Sequence, residues 1–204
     1  PAQDDIVLMI NNDVTFNRDF IENGVRLLGK MPDTLLLARE FDESRGIIVD
    51  TGVHADFKQL TFVTVASPEK INCLSTRGLF IRCDVLEQAG GFYPFLLPHY
   101  GSDYEFTMRA MRKGFSLRTD ASVYLIPNPT ATGFKEMPVG AGFYEVLKLL
   151  FTKKSGMNPI YWTTFILLSS PVKWIPKNLL IVWLRALRAI FNSIRGAIVE
   201  KGSV

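Results

Sequence analysis

The sequence predicts an α/β fold, a sheet flanked by helices, with a helical extension at its C-terminal end. Three observations carry this expectation. Short apolar runs suited to strands alternate with stretches that bear helix caps and helical spacing. The first run, Ile6 to Ile10, breaks off abruptly into the polar triplet Asn11-Asn12-Asp13. The charge balance also changes sign near residue 134: residues 135 to 204 hold 10 Lys and Arg against 3 Asp and Glu, and the remainder holds 13 against 17.

Each element follows from its residues. Ile6 to Ile10 is an apolar run of the kind a strand buried on both faces produces. Asn17 is placed to cap a helix running to about Lys30, with Phe20, Val25, Leu27 and Leu28 as its apolar face and Pro32 as its stop. Leu35 to Ala38 reads as the next strand, followed by strand-like pieces at Ile47 to Val49 and Leu60 to Val65. Leu79 to Arg82 gives a further strand, and a short helix from about Asp84 closes at Gly90 and Gly91. In "SDYEFTMRAMRKG", Ser102 and Glu105 stand at the two positions of a capping box, and Gly114 ends the helix. Ser116 to Ile126 supplies the last strand.

Composition narrows the function classes. With 204 residues, 48% hydrophobic and 12% aromatic, the chain buries a full core and is not a disordered segment. The two cysteines, Cys73 and Cys83, lack the CxxC spacing of zinc or redox sites and read as buried free thiols, compatible with a reducing cytosol. No basic groove interleaved with aromatics appears, so nucleic acid is not expected as a partner. The acidic front part suits a metal site, and the basic, apolar tail suits an anionic surface.

Two constellations carry chemistry. A sheet strand that ends in oxygen-rich side chains presents them at the crevice where α/β folds bind ligands. Asp13 offers a carboxylate and Asn11 an amide oxygen two residues earlier, donors that hard cations such as Mg²⁺ or Mn²⁺ prefer. A simple turn ahead of a helix is the competing reading. Further on, a loop holding His99, Tyr100 and Gly101 leads to a helix whose first turn carries Asp103 and Glu105. Acids there suit the helix dipole, and an ionised carboxylate at that position can also serve as a general base. His99 either binds an acceptor or caps its loop, and His54 reads as a surface residue.

The stretches "DDIVLMINNDV", "STRGLFIRCDVLEQAGGF" and "GSDYEFTMRAMRKGF", in this order, resemble the second half of family 2 glycosyltransferases of the GT-A fold. The resemblance covers about residues 4 to 150 and implies a mixed sheet flanked by helices. Asn11, Asn12 and Asp13 fall on the family's DxD-type strand end, which implies Asp13 as the metal and diphosphate contact with Asn11 beside it. Asp103 matches the second acid of the family's "ED" element and so takes the role of general base. Arg77 and Gly78 lie in the segment that runs beside the donor sugar, and His99, Tyr100 and Glu105 are candidate acceptor contacts. Asn11 stands where many members have Asp, and Ser102 replaces the common Glu. The family's opening strand-helix-strand portion, which binds the nucleotide base, has no counterpart here, so a C-terminal fragment inactive by itself is expected.

The expected activity is inverting, metal-dependent transfer of a sugar from a nucleotide-diphosphate donor to a hydroxyl of a glycan or lipid-linked acceptor. A non-catalytic binding module of the same fold and a nucleotidyltransferase-like enzyme are the alternatives. Residues 1 to 134 form the expected catalytic portion and 135 to 204 a basic helical tail. In the tail, Arg185, Arg188, Asn192 and Arg195 recur at steps of three and four, with Trp183, Phe191 and aliphatic residues filling the other positions. This pattern reads as a helix lying on an anionic membrane surface, which places the protein peripherally at the cytoplasmic face. Packing of the tail back on the catalytic portion is the competing reading.

Overall fold

The apolar stretch Leu35 to Ala38 becomes the centre of the sheet. The computed structural model describes residues 2, 5–43, 45–128 and 142–201, with 195–201 as backbone alone. The chain divides into two units: Pro1–Phe92 with Asp103–Ala131, and Tyr93–Ser102 with Thr132–Val204. Residues 93–102 thus group with the C-terminal helices.

The first unit runs β1 (Ile6–Met9), β2 (Val14–Phe16), α1 (Phe20–Lys30), β3 (Thr34–Asp42), β4 (Ile47–Asp50), β5 (Val53–Asp56), β6 (Thr61–Thr64), β7 (Leu79–Arg82), α2 (Cys83–Ala89), α3 (Ser102–Arg112) and β8 (Ser116–Pro127). Six strands form one mixed sheet in the order β1-β7-β3-β8-β2, with β4 also paired to β3; β5 and β6 form a separate hairpin. Among the described strands, β3 and β8 alone pair in parallel. This is an α/β architecture with a mixed sheet between helices.

Strand alternation fills two cores. Leu35, Leu37, Leu79 and Ile81 point to one face, where Val85, Ala89, Phe106 and Ala110 of α2 and α3 cover them. Leu36, Ala38 and Phe80 point to the other, against Phe20 and Leu28 of α1. The central strands β3 and β7 are therefore apolar on both faces, as an unbroken apolar run requires. The run at β1 was expected in such a position. It lies instead at the sheet edge, paired antiparallel to β7 alone, and its four residues are only half-buried.

Two helix starts also differ from expectation. Asn17 does not cap α1: Asp19 occupies the cap position without a side-chain hydrogen bond, and the Asn17 Oδ1 is buried without a partner. Ser102 lies inside α3, donating from Oγ to the His99 carbonyl (2.7 Å). Glu105 closes no capping box. It is 2% exposed and accepts from Arg109 Nε (2.8 Å) and Nη2 (3.0 Å), because a buried carboxylate needs a charged partner more than a helix end needs a second cap. Both cysteines are free and buried, as expected.

The second unit contains α4 (Phe143–Phe151), α5 (Pro159–Ser169) and α6 (Ile175–Lys201). Asn158 caps α5 by accepting from the Ile160 and Tyr161 amides, with Pro159 at the first helical position. Val146 and Leu150 of α4 pack on Ala186 of α6.

Two glycines of α1 separate packing from propensity. A Cβ on Gly24 would lie 2.4 Å from Phe80 Cζ, whereas one on Gly29 meets nothing within 4 Å. Gly24→Ala should therefore destabilise the fold by about 1–3 kcal/mol through overpacking. Gly29→Ala should stabilise it by about 0.5–1 kcal/mol. Denaturant unfolding of both variants checks the opposite signs.

Candidate functional site

Three acids of the first unit, Glu40, Asp50 and Asp103, all feel the charge of one guanidinium, that of Arg77. β3 continues past its apolar run and delivers Glu40 into the sheet at 6% exposure. Arg77, from the segment preceding β7, places Nη1 at 2.9 and 3.0 Å from the two Glu40 oxygens. Asp50 ends β4; its Oδ1 accepts from the Gly52 amide (2.8 Å) and its Oδ2 from Ser75 Oγ (3.4 Å). Asp103 opens α3, and its Oδ1 accepts from the Tyr104 amide (2.9 Å). No side chain among the described residues donates to the Asp103 carboxylate.

The environment raises all three acids. Burial is the main cause for Asp103, whose carboxyl is pushed up to about 6; the charge of Asp50 adds to the rise and Arg77 opposes it. Glu40 is raised by burial, with Arg77 pulling the other way and Asp50 and Asp13 pushing further up. Asp50 is raised by burial against the pull of the Gly52 amide, Arg77 and Ser75. Burial, reinforced by Asp103, also raises the Cys73 thiol and the Tyr104 phenol, so both stay protonated at neutral pH.

Local hydrogen bonds explain why Asp103 stands where it does. Thr107, fully buried one turn further along α3, accepts from the Leu74 amide (2.9 Å) and lies within hydrogen-bond distance of the Leu74 (3.2 Å) and Asp103 (3.0 Å) carbonyls. Arg109 pairs with Glu105 and donates to the carbonyls of Ala89 and Gly91. The first turn of α3 is thereby fixed against the 70–78 segment on one side and the end of α2 on the other.

Of the residues singled out from sequence, Arg77 and Asp103 fall in this cluster, and Asp13 acts on it through Glu40. Asp13 lies in the β1–β2 turn with its Oδ1 buried and unpartnered, while Asn11 and Asn12 are exposed. Gly78 is a joint of the sheet. Its amide donates to Met9 O and its carbonyl accepts from the Ala38 amide, both at 2.9 Å, and at φ +83° a Cβ would lie 2.5 Å from Leu125. His99 lies against Tyr100 in the second unit, the rings tilted by 30° with 4.6 Å between centroids. Glu105 is occupied by Arg109. His54 is exposed, with Nδ1 2.7 Å from the Lys70 carbonyl.

Glu40, Asp50, Tyr104 and Thr107 were not read from the sequence. Glu40 had a signal, a charge inside a strand-like run; Asp50 and Thr107 are ordinary in their local context. Among the described residues, no three His, Cys, Asp or Glu side chains are placed to hold a metal ion by themselves. Comparison of the chain with protein-family models and with curated proteins finds no match in either.

The raised acid has a consequence for stability. A carboxyl that titrates higher in the folded chain than in the unfolded one contributes fully below its free value of 3.8, and that contribution is lost as pH rises through about 6. Asp103→Asn, which cannot ionise, should therefore gain stability relative to the parent chain between pH 4 and 7. The gain should plateau above pH 7 at on the order of 1–3 kcal/mol. Unfolding free energies of the two proteins across that range give the difference directly.

Proposed function

We propose that the first unit is the catalytic unit of an inverting glycosyltransferase resembling the GT-A, family 2 enzymes. It would transfer a sugar from a nucleotide-diphosphate donor to a hydroxyl of a glycan or lipid-linked acceptor. The observation that supports this most is Asp103: its carboxylate is held by backbone amides, free of side-chain donors, and poised near pH 6. Those properties suit a general base at neutral pH.

In this reading Asp103 takes the proton of the acceptor hydroxyl. The acceptor oxygen bonds to the anomeric carbon as the bond from that carbon to the diphosphate breaks on the opposite face, and the configuration inverts. Arg77 contacts Glu40 through Nη1 alone, leaving its other guanidinium nitrogens to meet the donor. Burial and the charge of Asp50 hold the Asp103 carboxyl above its usual range, which suits it to take up a proton, and Arg77 pulls the other way.

The buried, unpartnered Oδ1 of Asp13 suits a divalent cation, since Mg²⁺ is commonly held by one or two carboxylates together with substrate phosphates. Asp13, with Asn11 beside it, would hold Mg²⁺ or Mn²⁺. When bound, such a cation neutralises charge on a departing diphosphate.

The second unit supports a peripheral membrane location. α6 carries three stripes: Asn178, Val182 and Ala186 are buried, Leu180, Trp183, Leu184, Leu187, Phe191 and Ile194 are exposed, and Lys177, Arg185 and Arg188 are exposed beside them. The side chain of Arg195, part of the expected basic stripe, lies outside the described residues. Packing on α4 and α5 thus occupies one face of α6, while an apolar face with a Trp and a basic flank remains, the pattern of an interfacial helix. Among the described residues no helix is long and apolar enough to cross a membrane.

Two experiments test these readings. Asp103→Asn should lower kcat for transfer by about 10² to 10⁴ with donor affinity retained, and parent kcat/KM should rise with pH through a value near 6. NMR of the product should show inversion; retention, or an active Asp103→Asn, contradicts the mechanism. For the tail, Leu187→Glu with Phe191→Glu should release the protein from vesicles containing phosphatidylserine. Arg185→Glu with Arg188→Glu should weaken binding in a manner that high salt reproduces in the parent.

A further inference from the structure

Three side chains tie the start of α3 to its surroundings, and they constrain it unequally. Tyr104 stacks on Phe62 of the β5–β6 hairpin, with 5.7 Å between centroids and 14° between planes. Arg109 reaches the carbonyls of Ala89 and Gly91 from more than a turn further along the helix. Stacked rings can slide over one another, and an arginine reaches its acceptors on a long stem with many rotamers.

The Thr107 hydroxyl has no such freedom, being fully buried on a stiff β-branched stem. Its oxygen accepts from the Leu74 amide (2.9 Å). Its one proton has the Leu74 carbonyl (3.2 Å) within reach and, inside the helix, the carbonyls of Asp103 (3.0 Å) and Tyr104 (3.4 Å). Leu74 is itself fully buried, and among the described residues no group other than Thr107 hydrogen-bonds its amide or its carbonyl. A buried amide and carbonyl left without partners are costly, so this one hydroxyl locks loop and helix together.

The two sides of the lock carry the charged groups of the site. The loop side brings Cys73, Arg77 and, through Ser75, Asp50; the helix side brings Asp103 and Tyr104. Asp50, Arg77, Cys73 and Tyr104 are the titratable groups that act on the Asp103 carboxyl or feel its charge. Movement of the first turn away from the loop would admit water to Asp103 and change its distance from each of them.

We propose that Thr107 is a positioning residue whose hydroxyl, through Leu74, sets where the Asp103 carboxylate stands relative to Arg77 and Asp50. Its part in catalysis rests on the glycosyl-transfer reading, whereas the placement of Asp103 is measurable without turnover.

Thr107→Val removes the hydroxyl and keeps the shape, and Thr107→Ser keeps the hydroxyl and loses a methyl group. Ile81→Val is the control, since it loosens the core that α3 covers and leaves the hydroxyl in place. In Thr107→Val the carboxyl ¹³C midpoint of Asp103 should fall from about 6 to about 5 or below as water reaches the carboxylate. Transfer kcat should drop about tenfold to a hundredfold with the donor KM within about twofold. Thr107→Ser should restore both quantities, and Ile81→Val should leave both unchanged while lowering the melting temperature. If valine prevents folding, Thr107→Cys gives the same comparison, because its thiol hydrogen-bonds weakly and should lower the midpoint relative to Thr107→Ser. A midpoint that falls in Thr107→Val and returns in Thr107→Ser, in a protein with no nucleotide-sugar turnover, would uphold the positioning of Asp103 and remove the transferase reading. An unmoved midpoint in both Thr107→Val and Thr107→Cys, or an equal fall in Ile81→Val, would overturn the proposal.

Discussion

The arrangement of the first unit depends on one stretch of extended chain, residues 70–78, whose polar groups reach every element of the candidate site. From this stretch Asn72 and Cys73 hold the β5–β6 hairpin, Leu74 holds α3 through Thr107, and Ser75 holds Asp50. Arg77 then holds Glu40, and Gly78 joins β1 to β3. A loop with buried backbone must satisfy its amides and carbonyls, and here each satisfied group is also a positional constraint on a neighbouring element. Without this segment Asp103, Asp50 and Glu40 would be three acids on three unrelated elements.

The electrostatic character follows from that geometry. Acids brought together in a partly buried place resist ionisation, and one arginine offsets only part of the burden. Glu40 faces Arg77 directly and Asp50 is met by an amide and a hydroxyl, whereas Asp103 has backbone amides and no charged partner in contact. The least compensated of the three is the one with the raised value near 6. Its reactivity and its cost to stability thus have the same origin, and a functional site is where such a cost is tolerated.

The sequence was informative where local patterning governs and silent where long-range contacts do. Apolar runs located β3 and β7, the glycine pair located the end of α2, and Ser102 and Gly114 bracketed α3. β1 was placed in the sheet interior because a run of apolar residues does not say how many neighbours a strand has; it proved an edge strand. β2 and β5 were not distinguished, being three and four residues long. Glu105 looked like a cap because cap signals are local, whereas its partner Arg109 and the carbonyls of Ala89 and Gly91 are set by tertiary packing. For the same reason Asp103, Arg77 and Asp13 were visible as motif residues, whereas Asp50, Glu40 and the Phe62–Tyr104 stack required the fold.

The account turns on Asp103 as a carboxylate poised within an Arg77-centred group of acids. The most direct measurement is a carboxyl ¹³C NMR titration of Asp103 in the intact chain, repeated in Asp50→Asn and Arg77→Met. The account predicts a midpoint near 6 in the parent, lower in Asp50→Asn and higher in Arg77→Met. A parent midpoint near 3.8, unmoved by either substitution, would contradict it.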